Sequence, residues 1–255
     1  MAGNARLPGV SVTSRVLDLV GAFDARHRAL TLTALAERAG MPVPTAHRLV
    51  GELVRWGALE RLPAGDYVVG RRVWEIGLLA PAQSGLRQLA SPFLHDLYGA
   101  TLATVHLAER DGTRVLYLDR LSGHASVPIV SEVGSRLPLH ATGVGKVLLA
   151  HAPERIQAAV LRNLTRMTPY TITQPARLRE QLARVRRDGF ATTNEEMTLG
   201  ACSVAVPITE PGGEVVAALG IVVASLKRDR PRLLAGLRVA ARGINRSVAA
   251  REVAA

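Results

Sequence analysis

Apolar residues recur with a helical period in three short stretches near the start of the chain. The first stretch runs from Val12 to Phe23 and places its apolar side chains on one face, with Ser11 or Thr13 as its cap. The second begins after Thr31, a suitable N-cap, and ends before Gly40, a residue that favours a left-handed helix end. These two stretches predict two short amphipathic helices.

The third stretch follows a tight Gly-Met-Pro turn. It predicts a helix from Pro44 to about Trp56, because proline suits the first helical position, with the apolar Val43 as N-cap. Two short strand patterns then flank a Pro-Ala-Gly-Asp turn at 63–66 and predict a hairpin. Two helices, a tight turn and a hairpin in this order predict a winged helix-turn-helix, whose second helix enters the DNA major groove.

Alternating patterns become frequent in the remainder of the chain. A break is predicted at 81–85, followed by a helix from Leu86 to Tyr98. The Asp-Gly pair at 111–112 lies between two alternating runs, at 102–108 and 113–119, and predicts a hairpin. Further strands are predicted at 127–132, 190–193, 203–209 and 215–224, and further helices from about 143, at 153–161, at 176–188 and at 230–250.

Hairpins with helices between and after them indicate an α+β domain with a mainly antiparallel sheet. We expect helices on one side of this sheet, and loops with a small pocket on the other. The predicted boundaries are 10–72 for the helix-turn-helix domain, 73–84 for a linker helix and 85–250 for the second domain. In the linker region Val73, Trp74 and Leu78 can pack, and Trp74 is either an interface anchor or part of a core.

The charge of the chain permits DNA binding without locating it. The chain has 255 residues, of which 32 are basic and 21 acidic, for a net charge of +11. The first 80 residues hold only +3 of this charge. All basic residues except Lys146 and Lys227 are arginines, which either favour bidentate contacts to phosphate and guanine or reflect genome composition.

Composition also bears on compartment and metal chemistry. No apolar run reaches the roughly 18 residues of a membrane span, and the N-terminus lacks a secretory apolar region, so we expect a cytoplasmic protein. Cys202 is the only cysteine, which rules out an intrachain disulfide or a cysteine-rich zinc site. The seven histidines, His124 among them, are scattered without an i, i+4 pair, so we expect no metal and no cofactor.

The glycine-rich segment 143–146 lacks the spacing of a phosphate loop. A Walker A motif needs glycine where the chain has His140, and Ser or Thr where it has Val147. Cys202 and Ser203 lack a nucleophile elbow, so no catalytic residue is predicted, and the two side chains should face opposite sides of a strand. A helix starting near residue 143 would offer N–H groups to a carboxylate; alternatively, its glycines only allow a tight turn.

Several of these segments resemble the IclR family of bacterial transcriptional regulators. In the N-terminal half, the resemblance lies in Gly40-Met41-Pro42, Thr45, Arg48-Leu49, Tyr67 and the segment 70–77. In the C-terminal half, it lies in 137–146, Gly189-Phe190-Ala191, Glu195-Glu196, Gly200, Ser203, Ala205 and Pro207. The resemblance implies that a linker helix joins the winged helix-turn-helix to a GAF-like domain, which binds a small organic effector.

Candidate binding residues follow from the helix-turn-helix and from this resemblance. Thr45, His47 and Arg48 are assigned to base-edge contacts, although Thr45 could instead help to cap the helix. The complete DNA-binding set is Arg15, Pro44, Thr45, His47, Arg48, Arg55, Arg61, Arg71 and Arg72. The effector-binding set, taken from the resemblance and from the helix start near residue 143, is Ile129, Gly143, Val144, Thr193, Ala201, Ser203, Gly220 and Val222.

Three positions of the effector-binding set bear on specificity. Of Ser203, Gly220 and Val222 only the first is polar, whereas family members that bind very small polar acids tend to carry Cys or Ser there. We therefore expect an anionic, partly apolar effector, such as an aromatic or longer-chain acid.

The predicted function is a DNA-binding repressor of a catabolic operon, without enzymatic activity or membrane association. It would bind a near-palindromic double-stranded operator as a homodimer or homotetramer, because two-fold symmetry places half-sites about one turn apart. One alternative is a small-molecule-transforming enzyme with a vestigial DNA-binding domain. Another is a non-specific nucleic-acid-binding protein driven by arginine charge.

Overall fold

The computed structural model describes residues 11–24, 26–79, 81–123 and 126–254. The chain divides between Pro81 and Ala82 into two units, each with its own hydrophobic core. The predicted domain start at residue 10, and His124, lie outside the described residues. Among the described helices, none combines the length and the apolar character that a membrane crossing requires.

The described residues of the first unit form four helices and a small antiparallel sheet. Hydroxyl groups cap the first two helices, because Ser11 accepts from Ser14 N–H and Thr31 accepts from Ala34 N–H. The sheet order is β1-β3-β2. The elements are α1 (Val12–Gly21), β1 (Ala29–Leu30), α2 (Leu32–Arg38), α3 (Val43–Trp56), β2 (Leu59–Arg61), β3 (Tyr67–Val69) and α4 (Arg71–Gly77).

Three details of this unit differ from the prediction. The helix α3 begins at Val43 with Pro42 as its N-cap, so Pro44 takes the second helical position rather than the first. The strand β1 adds to the predicted hairpin by pairing with β3, and its length of two residues is too short for a recognisable pattern. Trp74 and Leu78 do not pack within the described unit, since they are 59% and 58% exposed and only Val73 of α4 joins the core.

The second unit is an α+β domain on a six-stranded sheet. The strand order is β6-β5-β4-β9-β8-β7, and every neighbouring pair is antiparallel, as the hairpin patterns predicted. The elements are α5 (Pro81–Thr101), β4 (Thr104–Asp111), β5 (Arg114–Leu121), β6 (Arg136–Pro138), α6 (Gly143–Ala150), α7 (Glu154–Arg162), α8 (Pro175–Asp188), β7 (Ala191–Asn194), β8 (Cys202–Thr209), β9 (Val215–Val223) and α9 (Arg230–Ala254).

Helices cover both faces of this sheet, so the expectation of helices on one side only is wrong. The helices α5 and α9 pack on one face around Leu94, Leu237 and Ile244. The helices α6, α7 and α8 pack on the other face around Leu149 and Leu182. The central strand β9 buries consecutive side chains, because successive residues of a strand point to opposite faces and both faces are covered.

Two further predictions for this region are wrong. The single linker helix predicted at 73–84 is instead two helices, since α4 ends at Gly77 and α5 begins at Pro81. The break predicted at 81–85 is helical, because the first turn of a helix tolerates proline. The segment 127–132 is irregular rather than a strand, since Pro128 cannot donate to a strand ladder. The neighbour of β5 at the sheet edge is instead the short strand β6.

Candidate nucleic-acid interface and ligand pocket

The outer side of α3 presents two side chains near its start that have no partner among the described residues. Ala46, Leu49 and Leu53 point into the core, so the residues between them face solvent. His47 and Arg48 are exposed, and neither forms a hydrogen bond or ion pair within the described part of the chain. Side chains of these types at the start of such a helix can donate to base edges or phosphates.

Thr45 does not cap this helix. Among the described residues, no side chain accepts a hydrogen bond from the first turn of α3. The N–H groups of Thr45 and Ala46 instead donate to the carbonyl of Pro42, each at 3.0 Å. The capping alternative for Thr45 is therefore wrong. Thr45 is half-buried, beside the exposed Pro44.

Two arginines of the predicted DNA-binding set are held by acidic neighbours on their own helices. Arg55 donates to Glu52 at 2.6 Å, and Arg71 donates to Glu75 at 2.9 Å. All four side chains are largely exposed, so each pair contributes little to stability and can open when a phosphate competes for the arginine. Arg15 on α1 is half-buried and forms no ion pair with another described residue.

The arginines beside the hairpin line a shared groove. Arg61, Arg71 and Arg72 contribute to it, together with two glutamates. The Arg72 guanidinium lies 4.4 Å from the centre of the Trp56 ring, and the Arg61 guanidinium lies 5.8 Å from the centre of the Tyr67 ring. Stacking on an aromatic face restrains an arginine without neutralising its charge. These two side chains therefore remain available for phosphate contacts.

A cavity lies between the sheet and the start of α6. The fold brings the predicted effector-binding set together around it from three strands, from α6, from the segment 127–132 and from the residues before β8. The lining includes all eight: Ile129, Gly143, Val144, Thr193, Ala201, Ser203, Gly220 and Val222. Their contact with an effector stays a prediction.

The start of α6 forms one polar end of this cavity. Thr142 caps the helix by accepting from its third N–H group at 3.1 Å. Among the described residues, the N–H groups of Gly143 and Val144 have no acceptor, as the geometry of a first helical turn dictates. The hydroxyls of Thr193 and Ser203 hydrogen-bond to each other at 2.6 Å beside them. Free N–H groups at a helix start and adjacent hydroxyls suit a carboxylate.

Two glycines allow the elements around this end to approach closely. A Cβ atom at Gly143 would lie 2.5 Å from Ser203 Oγ, and one at Gly220 would lie 2.8 Å from Val144 Cγ1. Any side chain at either position would therefore force its neighbours to move. The explanation of Gly143 by a tight turn alone is incomplete, because the packing of α6 against β8 also requires glycine there.

A second polar group lines the cavity two strands away from Ser203. His106 Nε2 lies 2.9 Å from Ser131 Oγ, and the His106 ring meets the Tyr117 ring edge-on at 4.9 Å. Burial, together with the nearby charge of Arg120, lowers the pKa of His106 to about 3. Burial also raises the pKa of Tyr117 above its usual range. Both side chains are therefore neutral near pH 7.

Sequence reasoning missed these polar lining residues. His106 and Tyr117 lie in strands whose alternation was recognised, so the pocket-facing side of each strand was a usable signal. Ser131 joins His106 across 25 positions, and no local pattern reveals such a pair. Met197 and Thr198 also line the cavity, from the segment between β7 and β8. The lining is thus more polar than positions 203, 220 and 222 alone indicate.

Cys202 and Ser203 face opposite sides of β8, as predicted. Ser203 lines the cavity, whereas Cys202 Sγ donates to Asn194 Oδ1 at 3.0 Å outside it. Burial raises the pKa of the Cys202 thiol, which disfavours the thiolate form that a nucleophile needs. The Ser203 hydroxyl pairs with another hydroxyl, that of Thr193, and not with a base. Neither Cys202 nor Ser203 is therefore placed as an activated nucleophile.

Two family profiles match this chain. The profile described as IclR helix-turn-helix domain matches residues 12–63, and the profile described as bacterial transcriptional regulator IclR C-terminal matches residues 80–246. The chain is 34% identical over 230 residues to the HTH-type transcriptional regulator BhcR of Paracoccus denitrificans, covering 89% of this chain and 82% of that protein. It is 30% identical over 230 residues to the regulator XynR of Escherichia coli, covering 89% and 91%.

The fold is also similar to that of solved proteins. One is the crystal structure of an IclR homolog complexed with 4-hydroxybenzoate from Microbacterium hydrocarbonoxydans, with 36% identity, a TM-score of 0.89, and coverage of 93% of this chain and 99% of that chain. The relatives named here are transcriptional regulators and not enzymes, which removes the support for the enzyme alternative. The helix-turn-helix, the α+β domain with its cavity and the two profile matches assign the chain to the IclR family of bacterial transcriptional regulators.

Proposed function

We propose that the chain is a cytoplasmic repressor of a catabolic operon, controlled by an aromatic monocarboxylate that binds in the second unit. The observation that carries the effector half is a single cavity that joins two free helix-start N–H groups to a floor of very small residues. The DNA half rests on a winged helix-turn-helix whose recognition helix keeps His47 and Arg48 unpaired within the described residues.

In the DNA-binding unit, side chains of α3 recognise the base sequence of the operator. Arg48 donates to guanine or to the backbone, with His47 and Thr45 as its neighbours on the same exposed side. Arg61 and Arg72 bind phosphate from beside the hairpin, where their stacking on aromatic rings reduces the entropy lost on contact. Pro44, Arg15, Arg55 and Arg71 complete the proposed DNA-binding set.

In the second unit, the carboxylate of the effector occupies the start of α6. It accepts hydrogen bonds from the N–H groups of Gly143 and Val144 and from the hydroxyl of Ser203 or Thr193. The positive end of the helix dipole favours the negative charge at this place. A cationic side chain is therefore not required for binding the anion.

The apolar body of the effector lies over the floor between the two polar ends. Ala205 on β8 pairs with Gly220 on β9, which pairs with His106 on β4, so the middle of this row carries almost no side chain. Ser203 lies two residues before Ala205 on β8, and β8 is two strands away from β4, which carries His106. Standard strand spacings then place the Cα atoms of Ser203 and His106 about 12 Å from each other. This spacing between the two polar ends suits a ligand with a flat ring between its polar groups.

A relative with 36% identity supports this effector class. That IclR homolog was crystallised with 4-hydroxybenzoate, which has one carboxylate, one ring and one neutral hydroxyl. His106 is neutral near pH 7, so the polar group that it forms with Ser131 suits a neutral hydroxyl of the effector. We therefore propose a hydroxybenzoate-like acid rather than a two- or three-carbon acid.

The proposed assembly is a homodimer or homotetramer, which matches a near-palindromic operator. Exposed apolar side chains follow one another from α4 to residue 79: Trp74, Ile76, Leu78 and Leu79. A row of such residues is typical of a surface that another protein covers. A second copy of this chain is the partner that a two-fold operator demands.

Calorimetry and band-shift assays test the two halves separately. Titration of the full chain with 4-hydroxybenzoate should give saturable binding, whereas glyoxylate at the same concentrations should not. Binding of glyoxylate alone would refute the effector class. In band shifts with DNA from the gene's own upstream region, 4-hydroxybenzoate should release the protein; tighter binding in its presence would refute the repressor assignment while keeping the regulator.

A further inference from the structure

A charged pair lies buried beside the proposed effector pocket. The side chains of Lys146 on α6 and Glu196, after β7, are 1% and 7% exposed. Lys146 Nζ donates to both carboxylate oxygens of Glu196, at 2.6 and 2.7 Å, and to Gln181 Oε1 on α8 at 2.6 Å. All three donor positions of the ammonium group are thus used by the protein.

Stability alone does not account for this pair. Removing two charges from water costs free energy that their attraction often fails to recover, and well-packed apolar residues commonly replace buried pairs without loss. Burial disfavours the charged forms of both side chains, so it lowers the pKa of Lys146 and raises the pKa of Glu196. The attraction between the two charges opposes both shifts. The position of the pair in the fold therefore matters more to its role than its contribution to stability.

The pair joins two parts of the pocket wall. Lys146 lies one helical turn after Gly143, whose N–H group belongs to the proposed carboxylate site. Glu196 lies in the segment 195–201, which we call the rim segment, and is followed directly by Met197 and Thr198, which line the cavity. The salt bridge therefore ties the carboxylate end of the pocket to the rim segment.

The rim segment is restrained at its other contacts as well. Glu195 has a left-handed backbone with φ of 53°, and its carboxylate accepts from the Gly200 N–H at 2.8 Å. The hydroxyls of Thr168 and Thr171 donate to the carbonyls of Glu195 and Glu196, each at 2.7 Å. A non-glycine residue in the left-handed region persists only where its surroundings hold it.

We propose that Lys146 and Glu196 are positioning residues for the effector site, and that their salt bridge fixes the rim segment against the start of α6. They act through Met197, Thr198 and the N–H groups of Gly143 and Val144, without touching the effector. This inference rests on the proposed function of the cavity. Lys146 and Glu196 would thus shape the pocket from positions outside the cavity lining.

Three variants separate positioning from folding. Glu196→Gln keeps the shape of the side chain but weakens the ionic contact. The double variant Lys146→Met with Glu196→Met replaces the pair by apolar side chains of similar length and should retain the fold. Asp111→Asn is the matched control, because Asp111 pairs with Arg136 at 2.6 Å on the surface of the same sheet, with side chains 47% and 56% exposed.

Calorimetry with 4-hydroxybenzoate and hydrogen exchange of the full chain provide the readouts. Glu196→Gln and the double variant should bind 4-hydroxybenzoate at least about tenfold more weakly. Their amide protons at 198–201 should exchange faster, even where denaturation shows the double variant to be as stable as the parent. Asp111→Asn should change neither quantity.

Two results would overturn the inference. One is a stable double variant with parental affinity for 4-hydroxybenzoate, since the pair would then serve folding only. The other is unchanged hydrogen exchange in the rim segment of both pair variants. This measurement needs no ligand, so it tests the positioning role even where the parent protein fails to bind 4-hydroxybenzoate. A parent that fails to bind, combined with faster exchange in the variants, would refute the effector class and keep the positioning role.

Discussion

Adding one methyl group at Gly143 should disturb the carboxylate end of the pocket directly. The Cβ atom of an alanine would lie 2.5 Å from Ser203 Oγ and 3.4 Å from Ser203 Cβ. Ser203 would have to rotate, which breaks its 2.6 Å hydrogen bond to Thr193. Overpacking costs about 1–3 kcal/mol, and a lost hydrogen bond costs about 0.5–1.5 kcal/mol.

We therefore expect Gly143→Ala to lower the free energy of unfolding by about 1.5–4.5 kcal/mol. Its melting temperature should fall by several degrees, since about 2–4 °C per kcal/mol is usual for a unit of this size. Binding of 4-hydroxybenzoate should weaken too, because the methyl group crowds the hydroxyl that faces the carboxylate. Denaturant unfolding and calorimetry measure the two effects.

The double variant Gly143→Ala with Ser203→Ala isolates the cause. It removes the oxygen that clashes, so its cost should be smaller than the sum of the single costs by at least about 1 kcal/mol. Gly99→Ala in α5 is the control, since no atom lies within 4 Å of its added methyl group and helix propensity predicts a gain of about 0.5–1 kcal/mol. Additive costs at positions 143 and 203 would refute the reasoning.

Three other predictions concern the interface, the buried histidine and assembly. Arg48→Ala should weaken binding to operator more than to scrambled DNA, whereas Arg61→Ala should weaken both alike and lower the salt slope by about one; identical behaviour of both variants would contradict this. The pKa of folded His106 is about 3, below its ordinary value of 6.5, so the unfolded chain binds the proton first and stability falls as pH decreases from 6.5 towards 3. The slope should be about 1.4 kcal/mol per pH unit, relative to His106→Gln in denaturant titrations; equal slopes would contradict it. Trp74→Ser combined with Leu79→Ser should give smaller species in sedimentation, and an unchanged mass would exclude this surface from assembly.

The sequence predicted the elements best where period and end signals agreed. Thr31 and Gly40 bracket α2, and Asp111-Gly112 joins β4 to β5, because these signals act within a few residues. The strand expected at 127–132 failed because Pro128 interrupts it and because Ser131 is fixed by His106, a distant partner. Tertiary contacts, unlike caps and turns, have no local signature.

The arrangement of helices around the sheet was predictable in principle. The apolar run Val215–Val223 lacks the alternation of a half-exposed strand, which indicates burial on both faces. The helix start near residue 143 indicated Gly143 on physical grounds, whereas the other seven residues of the effector-binding set came from the family resemblance. Their approach to one another depends on the order of the strands in the sheet, which has no local signal. The sequence offered no sign that Lys146 pairs with Glu196, because the two residues are fifty positions apart.

The charge of the cavity lining decides how many carboxylates an effector can carry. Among the described lining residues the only basic type is His106, which is neutral near pH 7, and Lys146 lies outside the lining and is committed to Glu196. One carboxylate is accommodated by the start of α6. A second carboxylate at the His106 end would meet no cationic lining residue, because the nearby Arg120 lies outside the lining and donates to the Ser131 carbonyl at 2.7 Å. Its burial there is therefore costly.

Terephthalate and 4-hydroxybenzoate place different groups at that end of an otherwise similar ring. We expect terephthalate to bind at least about tenfold more weakly, which corresponds to about 1.4 kcal/mol. Benzoate, which lacks any para group, should fall between them, since it leaves His106 without a ligand partner but buries no charge. Competition calorimetry ranks the three acids, and a terephthalate affinity equal to that of 4-hydroxybenzoate would show that the far end of the pocket is not a neutral site.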